Sequence, residues 1–239
     1  MSLLLVTRPQ PEADRTAQQA KALGHEVVVA PLLAIEPLPC LPPSGRPDAL
    51  LLTAGRAAAL ARAAWPGLPA DLPVIAVGPA TAAAARAAGF ARVEAGASDG
   101  SAALRLAAGL GFARLLHARG EDAAPLMLPA GLELETRILY RAVPAARLPQ
   151  AACAALARGA TPLLFSARTA QVLAALLADA GLARGQIALA VLSPAVAQAA
   201  GAGWQAVAIA QKPTTEAILA AAEGLWHGRS AGDMDDGKR

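Results

Sequence analysis

The two halves of this 239-residue chain repeat one another, and this repetition limits the possible fold more than any other feature. Four segments of the first half recur in the same order in the second half. Arg119 follows Arg8 by 111 residues, and Pro194 follows Pro79 by 115, so the offset drifts slowly. The matched pairs are residues 3–9 with 114–120, 49–56 with 162–169, 74–81 with 189–196, and 92–101 with 205–216. Such an ordered set indicates a duplicated structural unit.

Each repeated segment has the pattern of a short buried strand, a small or polar turn and an Ala- and Leu-rich helix. Strands that alternate with helices favour parallel sheets covered by helices on both faces. Because aromatic residues make up only 3% of the chain and hydrophobic residues 55%, Ala, Leu and Val must build the core. We therefore predict an α/β fold of two similar parallel-sheet lobes, a duplicated flavodoxin-like unit.

Composition disfavours a membrane or nucleic-acid role. The mean hydropathy of +0.42 is raised by Ala, and arginines such as Arg56, Arg86 and Arg158 interrupt the apolar runs. The first eight residues lack the basic and apolar regions of a signal peptide, so we expect a cytoplasmic protein that does not contact a membrane. The formal charge of +3 comes from dispersed arginines, and we expect no nucleic-acid partner.

No metal or cofactor site can be read from the sequence. Cys40 and Cys153 lie far apart without metal-type spacing, and His25, His117 and His227 are scattered. Glycine fingerprints for dinucleotides or nucleoside triphosphates are missing, as is the GxSxG pattern of hydrolases. We therefore expect neither a metal nor a cofactor.

The strand-to-helix junctions are the best candidates for a binding site. Ligands of parallel sheets bind beyond the carboxyl ends of the strands, where the amino ends of helices attract anions. The candidate substrate-binding residues at these junctions are Thr7, Arg8, Thr53, Ala54, Gly78, Thr81, Arg119, Ser166, Ala167, Ser193, Thr214 and Thr215.

Simpler interpretations stay open for each of these residues. Ser and Thr commonly cap helices for stability alone, and prolines such as Pro79 and Pro194 commonly begin them. Arg8 and Arg119 suit carboxylate binding but are equally compatible with a solvated surface. Tyr140 can donate a proton or hydrogen bond in a cleft, or it can simply pack against a lobe.

Taken together, several motifs resemble a known family. They are Leu4-Leu5-Val6-Thr7-Arg8-Pro9, Gly24-His25-Glu26-Val27, Pro31-Leu32-Leu33-Ala34-Ile35-Glu36-Pro37, Val77-Gly78-Pro79-Ala80-Thr81, Arg119-Gly120, Leu139-Tyr140-Arg141, Leu164-Phe165-Ser166-Ala167, Ser193-Pro194 and Lys212-Pro213-Thr214. This set resembles the bacterial uroporphyrinogen-III synthases over nearly the whole chain, to about Trp226. One departure stands in the second lobe, where Thr53-Ala54-Gly55-Arg56-Ala57-Ala58 replaces the usual Ser-x-x-Ala-Val.

The resemblance implies a specific domain arrangement. It predicts two lobes joined by a two-stranded connector, with the active site in the cleft between them and the first strand–helix pieces exchanged between the repeats. The predicted divisions are lobe one at 1–32 plus 145–226, lobe two at 40–134, connectors at 33–39 and 135–144, and a disordered tail at 227–239.

The resemblance also implies a reaction. The substrate would be hydroxymethylbilane, a linear tetrapyrrole polycarboxylate, which loses water and closes to uroporphyrinogen III with ring D inverted. The free bilane cyclises unaided to the wrong isomer, so the enzyme would act as a cofactor-free lyase, mainly by positioning. Tyr140 matches the family's connector tyrosine and would assist departure of the hydroxyl. The sequence gives no strong interface signal, so we expect a monomer, and the upstream hydroxymethylbilane-forming enzyme is a candidate partner.

Two other functions compete with this one. A duplicated α/β chain also suits a non-catalytic bilobed module that binds a small anionic metabolite. A dinucleotide-dependent enzyme is the third hypothesis, and the absence of a glycine fingerprint disfavours it.

Overall fold

The computed structural model describes residues 2–96, 99–123 and 125–232, and its chain divides into two compact units. Unit 2 is Ile35–Ala142, and unit 1 combines the segments before Ile35 and after Ala142. Most residues of the two predicted connectors, 33–39 and 135–144, therefore belong to unit 2.

Unit 1 contains a five-stranded parallel sheet. Its strands are β1 (Leu3–Val6), β2 (Glu26–Val29), β9 (Thr161–Leu164), β10 (Ala188–Val191) and β11 (Ala206–Ile209). They lie in the order β11-β10-β9-β1-β2, and a short 3-10 turn at Arg184–Gln186 precedes β10. The helices of this unit are α1 (Glu12–Ala22), α5 (Gln150–Ala157), α6 (Ala167–Asp179), α7 (Pro194–Ala200) and α8 (Thr215–Gly232).

Unit 2 contains a six-stranded sheet. Its strands are β3 (Leu33–Pro37), β4 (Ala49–Leu52), β5 (Val74–Ala76), β6 (Val93–Ala95), β7 (Arg114–Gly120) and β8 (Glu133–Pro144). They lie in the order β3-β8-β7-β4-β5-β6, and the strands from β8 to β6 are parallel. The helices of this unit are α2 (Arg56–Ala64), α3 (Pro79–Ala87) and α4 (Gly100–Gly109). The two predicted connectors form β3 and β8, which are neighbours in this sheet, and the N–H of Leu38 donates to the carbonyl of Leu139 at 2.8 Å.

The same strand order occurs in both sheets, as the sequence repeat predicts. Numbered from the first strand of each repeat, β2-β1-β9-β10-β11 and β8-β7-β4-β5-β6 both follow the flavodoxin-like order 2-1-3-4-5. Each sheet takes its first two strands from one repeat and its last three from the other. The prediction of a duplicated α/β fold with two parallel sheets is confirmed.

Small aliphatic side chains fill both faces of each sheet. Along β1, Leu5 packs in one apolar cluster, whereas Leu4 and Val6 pack in another, because successive side chains point to opposite faces. In β4, Leu50 and Leu51 are divided between two clusters in the same way. All five side chains are fully buried, which contributes on the order of 1.5–3 kcal/mol each.

Most helices begin directly after a strand, and short polar or proline residues set their starts. Ser166, Ser193 and Asp99 are the N-caps of α6, α7 and α4, and each accepts a hydrogen bond from a backbone N–H of the first turn. Pro79 and Pro194 occupy the first helical positions of α3 and α7. Proline fits there because its missing N–H would have no intrahelical acceptor. The carboxyl edge of each sheet is consequently lined by helix amino ends.

The last helix extends further than the sequence suggested. We expected disorder from residue 227, but α8 continues to Gly232, and residues 233–239 lie outside the described part of the chain. Buried Ile218, Leu219 and Ala222 anchor the first half of α8 on the sheet, and no proline follows to end it.

Candidate functional site

Each sheet has one point at its carboxyl edge where the strand order reverses. In unit 1 the reversal falls between β1 and β9, and in unit 2 it falls between β7 and β4. In unit 1, the helices α1 and α6 that follow these two strands pack on opposite faces of the sheet, so a crevice opens there. In unit 2, α2 follows β4, whereas the described residues between β7 and β8 contain no helix. Thr7 and Arg8 follow β1, Ser166 and Ala167 follow β9, and Thr53 and Ala54 follow β4. Arg119 is the next-to-last residue of β7. These seven candidates, which were predicted from the sequence, therefore lie at the two reversal points.

Thr7 is part of the unit 1 framework. Its side chain is fully buried, and Oγ1 donates to the carbonyl oxygen of Leu163 at 2.8 Å. This bond joins β1 to β9 at the reversal point. The hydrogen of the Thr7 hydroxyl is therefore donated to the backbone.

Arg8 is held in a fixed position beside Thr7. Its Nη1 donates to Oγ1 of Thr16 at 3.3 Å, and its Cζ lies 4.2 Å from the ring centroid of Phe165. Phe165 follows β9, so the aromatic ring supports the guanidinium at the carboxyl edge. Sequence reasoning missed Phe165, although its place directly before Ser166 was a signal.

Three hydroxyl candidates of unit 1 are helix caps. Oγ of Ser166 accepts from the N–H of Thr169 at 3.2 Å, and Oγ of Ser193 accepts from Val196 at 3.4 Å. Oγ1 of Thr214 accepts from Ala217 at 3.2 Å. The capping interpretation, which the sequence left open, holds for all three. A hydroxyl that caps by accepting still carries a hydrogen that can be donated to a ligand.

Ala167 and Thr215 supply backbone donors instead. Each is the first residue of its helix, where an N–H has no acceptor within the helix. Ala167 is exposed and Thr215 is half-buried, so α6 and α8 both begin at the protein surface.

In unit 2, Thr53 contacts a buried histidine. Its Oγ1 lies 3.1 Å from Nε2 of His117, which is only 1% exposed in β7. Burial, with the nearby charge of Arg119, lowers the pKa of His117 to about 4. The imidazole is therefore neutral at pH 7. Sequence reasoning treated His117 as one of three scattered histidines, since nothing in the order of residues brings position 53 to position 117.

Arg119 folds back on its own chain. Its Nε donates to the carbonyl of Gly120 at 2.9 Å, and its Nη2 donates to the carbonyl of Glu121 at 2.7 Å. These bonds hold the half-buried side chain where β7 ends. Its remaining N–H groups are the ones available for a carboxylate.

Gly78 and Thr81 lie at the start of α3. Gly78 is the N-cap in an extended conformation, with φ −176°, and a β-carbon there would meet nothing within 4 Å. Thr81 is buried in the first turn, and Ala54 is half-buried after β4. Gly78 thus offers an open backbone at the edge, whereas Thr81 is turned into the packing.

Tyr140 packs against the end of β7. It pairs with Gly120 across the β7–β8 ladder, is 9% exposed, and belongs to the apolar cluster of this unit. A β-carbon at Gly120 would lie 2.7 Å from Cζ of the ring, so the ring rests on bare backbone. The guanidinium of Arg56 lies 5.8 Å from the ring centroid. Within unit 2, the structure therefore brings Tyr140 to the strand end that carries Arg119.

The described residues, 2–96, 99–123 and 125–232, contain no group of three His, Cys, Asp or Glu side chains that could hold a metal ion. Over the same residues, every helix is too short or too polar to span a bilayer.

A family comparison agrees with this arrangement. The family model of uroporphyrinogen-III synthase HemD matches residues 14–220. The chain belongs to the uroporphyrinogen-III synthase family. Comparison with curated protein sequences finds no match.

Solved structures of uroporphyrinogen-III synthases share the fold. That of the synthetase from Helicobacter pylori 26695 is 16% identical, with a TM-score of 0.64 over 94% of this chain and 100% of that one. A mutant synthase from the extremely thermophilic bacterium Thermus thermophilus is 17% identical, with a TM-score of 0.50 over 97% and 100% of the two chains.

Membership of the uroporphyrinogen-III synthase family makes this chain an enzyme, a cyclising lyase of porphyrin and haem biosynthesis that acts on a tetrapyrrole. This confirms the function predicted from the motifs. The binding-module and dinucleotide-enzyme hypotheses are set aside.

Proposed function

We propose that the carboxyl edges of the two sheets bind the carboxylates of hydroxymethylbilane while the enzyme closes it to uroporphyrinogen III. The observation that carries this proposal is the set of capping hydroxyls. Ser166, Ser193 and Thr214 use their oxygens as acceptors from helix N–H groups, so each hydroxyl hydrogen can be donated to an anion.

The electrostatics of these edges support binding of a polycarboxylate. Each of the helices α6, α7 and α8 begins there, with N–H groups that lack intrahelical acceptors and a partial positive charge. Arg8, stacked on Phe165, adds a full charge whose position is fixed. Several donors along one edge suit a ligand with an acetate and a propionate on every ring.

The outcome of the reaction depends mainly on the conformation in which the bilane is bound, and no obligatory nucleophile is required. The C–O bond of the ring-A hydroxymethyl group breaks as water leaves, which creates an electrophilic carbon. Ring D then attacks through its substituted carbon, and the spiro intermediate opens and recloses with ring D inverted. Binding that holds the chain in the curved conformation selects this path over direct closure.

Tyr140 is the proposed catalytic residue. Its ring is packed on Gly120 and faces the Arg56 cation, so its orientation is restricted. A phenol O–H can donate a hydrogen bond to the departing hydroxyl and stabilise the negative charge that develops on it.

The deciding experiment is product analysis with hydroxymethylbilane made in situ by its own synthase. After oxidation, chromatography separates the type I and type III uroporphyrin isomers. We expect type III isomer with the active protein and type I isomer with heat-inactivated protein. Type I isomer alone, formed at the spontaneous rate by folded protein, would contradict the proposal.

We also propose that the enzyme is a cytoplasmic monomer that receives its substrate from the hydroxymethylbilane-forming enzyme. The physical reason is the instability of the bilane, which closes to the wrong isomer when it diffuses freely. Light scattering at micromolar protein concentration tests whether the enzyme is a monomer. Dilution of the coupled enzymes tests the transfer, because a type III yield that falls with dilution of the pair indicates direct transfer.

A further inference from the structure

His117 is a buried polar side chain in the apolar middle of β7. Its neighbours in β7, Leu115, Leu116 and Ala118, are at most 1% exposed, as is His117 itself. The residue at the matching position of the first repeat is Val6, 111 positions earlier, which is also fully buried. The duplicated fold is therefore built with valine at this position, and burial of an imidazole instead costs free energy.

The described contact of His117 is made with Thr53. Oγ1 of Thr53 and Nε2 of His117 are 3.1 Å apart. Thr53 directly follows β4, which is paired with β7 at the reversal point of unit 2. Helix α2 begins at Arg56, and its N-cap is Gly55, which has no side chain that could accept a hydrogen bond from the first turn.

Ser166, the match of Thr53 in the other repeat, is oriented differently. Its Oγ accepts from the N–H of Thr169 and lies 2.9 Å from the hydroxyl of the same residue. The start of its own helix therefore fixes the position of the Ser166 oxygen, whereas its hydrogen can be donated either to Thr169 or to a ligand. The Thr53 hydroxyl is instead positioned by its contact with the imidazole of His117.

The protonation state of His117 determines what Thr53 can do. The pKa of about 4 leaves one N–H on the ring at neutral pH. If Nε2 carries the hydrogen, it donates to Oγ1, and the Thr53 hydroxyl hydrogen points elsewhere. If Nδ1 carries it, the Thr53 hydroxyl donates to Nε2 and has only lone pairs left for a ligand. A carboxylate substrate accepts hydrogen bonds, so only the first tautomer serves it.

We propose that His117 is a positioning residue whose Nε2–H donates to Thr53 and thereby directs the Thr53 hydroxyl at a carboxylate of the substrate. This inference rests on the proposed function and adds to it one named substrate contact and the group that orients it. His117 itself does not touch the substrate.

The tautomer is the first test, and it does not require activity. Two-bond ¹⁵N–¹H correlation spectra of the uniformly ¹⁵N-labelled protein at pH 7.5 distinguish a protonated from an unprotonated Nε2. We expect a protonated Nε2 on His117, assigned by loss of its signals in His117→Gln. A protonated Nδ1 would overturn the proposal.

A double-mutant cycle is the second test. We expect His117→Leu and Thr53→Val each to raise KM for hydroxymethylbilane roughly tenfold with little change in kcat, since one charge-assisted hydrogen bond is lost. In the Thr53→Val background, His117→Leu should change KM less than about twofold. Equal effects in both backgrounds would show that His117 acts on the fold and would overturn the proposal.

Two conservative variants complete the design. The Nε2 amide of His117→Gln reaches about as far as the imidazole Nε2 and should recover most of the KM, and Thr53→Ser should retain it. His25→Gln is the matched control, because His25 is also buried but hydrogen-bonds Ser2 in unit 1. Its KM should equal that of the parent.

The failures of the two proposals are distinguishable. A folded parent protein that gives only the type I isomer overturns the proposed function, and the tautomer then still decides the orientation of Thr53. If the parent is active and the effects of His117→Leu and Thr53→Val on KM are additive, only the positioning role is overturned. Should His117→Leu fail to fold, as judged by urea unfolding, His117→Val replaces it in the double-mutant cycle, because valine is the residue at the matching position of the first repeat.

Discussion

A β-carbon placed on Gly120 would lie 2.6 Å from Cε2 of Tyr140, so glycine alone lets the tyrosine ring reach the end of β7. The ring occupies the space that any other side chain at position 120 would fill. This relationship ties the orientation of the proposed catalytic residue to the absence of a side chain on the neighbouring strand.

We therefore expect Gly120→Ala to displace the Tyr140 ring. The substitution should lower kcat at least tenfold and cost about 1–3 kcal/mol of unfolding free energy, the usual penalty for overpacking. Steady-state kinetics and urea unfolding measure the two effects. Gly45→Ala is the control, since a β-carbon there meets nothing within 4 Å. Unchanged kcat in Gly120→Ala would show that the ring position does not affect the reaction.

Replacement of Tyr140 by Phe tests the phenol alone. The ring and its packing on Gly120 are retained, so we expect an intact fold and a lower kcat, by about 10²-fold for loss of general-acid assistance. Circular dichroism and single-turnover kinetics provide the measurements. Activity equal to that of the parent would remove Tyr140 from the chemistry.

Loss of the Phe165 ring should weaken substrate binding through Arg8. The two groups are 4.2 Å apart, and a cation–π contact of this kind contributes on the order of 0.5–1 kcal/mol. We expect Phe165→Leu to raise KM a few-fold and Arg8→Gln to raise it more. The control is Phe90→Leu, because Arg62 stacks on Phe90 at 3.8 Å but donates to the carbonyls of Leu68 and Gly89. That variant should lose stability without a change in KM.

The depressed pKa of His117 predicts an acid-sensitive window of stability. The unfolded chain binds a proton on this histidine near pH 6.5, whereas the folded chain binds it near pH 4. Stability is therefore complete above pH 6.5 and falls as the pH drops from 6.5 to 4, by about 3 kcal/mol in total. Urea unfolding at half-unit steps of pH measures the slope.

His117→Leu should remove this slope between pH 6.5 and 4. Protonation of carboxylates causes a separate loss of stability at lower pH. Asp48 is one of these, because hydrogen bonds from the backbone N–H groups of Arg114 and Ala113 lower its pKa. An identical slope in His117→Leu and the parent would mean that another group titrates in this window.

The roles of individual candidates depended on partners that are distant in the sequence. Thr7 was predicted to bind substrate, yet its hydroxyl bonds the carbonyl of Leu163, 156 residues later. Ser166 and Thr214 satisfy the capping interpretation because their partners are three residues away, within reach of local pattern reasoning. No role was predicted for His117 or Phe165, since their contacts are made with Thr53 and Arg8 on other elements.

The sequence by itself determined the duplicated α/β architecture, the two parallel sheets and the edge at which the polar residues gather. These follow from local hydrophobic periodicity and from the repeat, both of which are written along the chain. Only the tertiary structure decided which hydroxyl is committed to the backbone, which imidazole lies beneath Thr53 and which glycine admits Tyr140. Those relationships join residues on different strands, and burial and hydrogen-bond geometry between strands exist only once the sheet has formed.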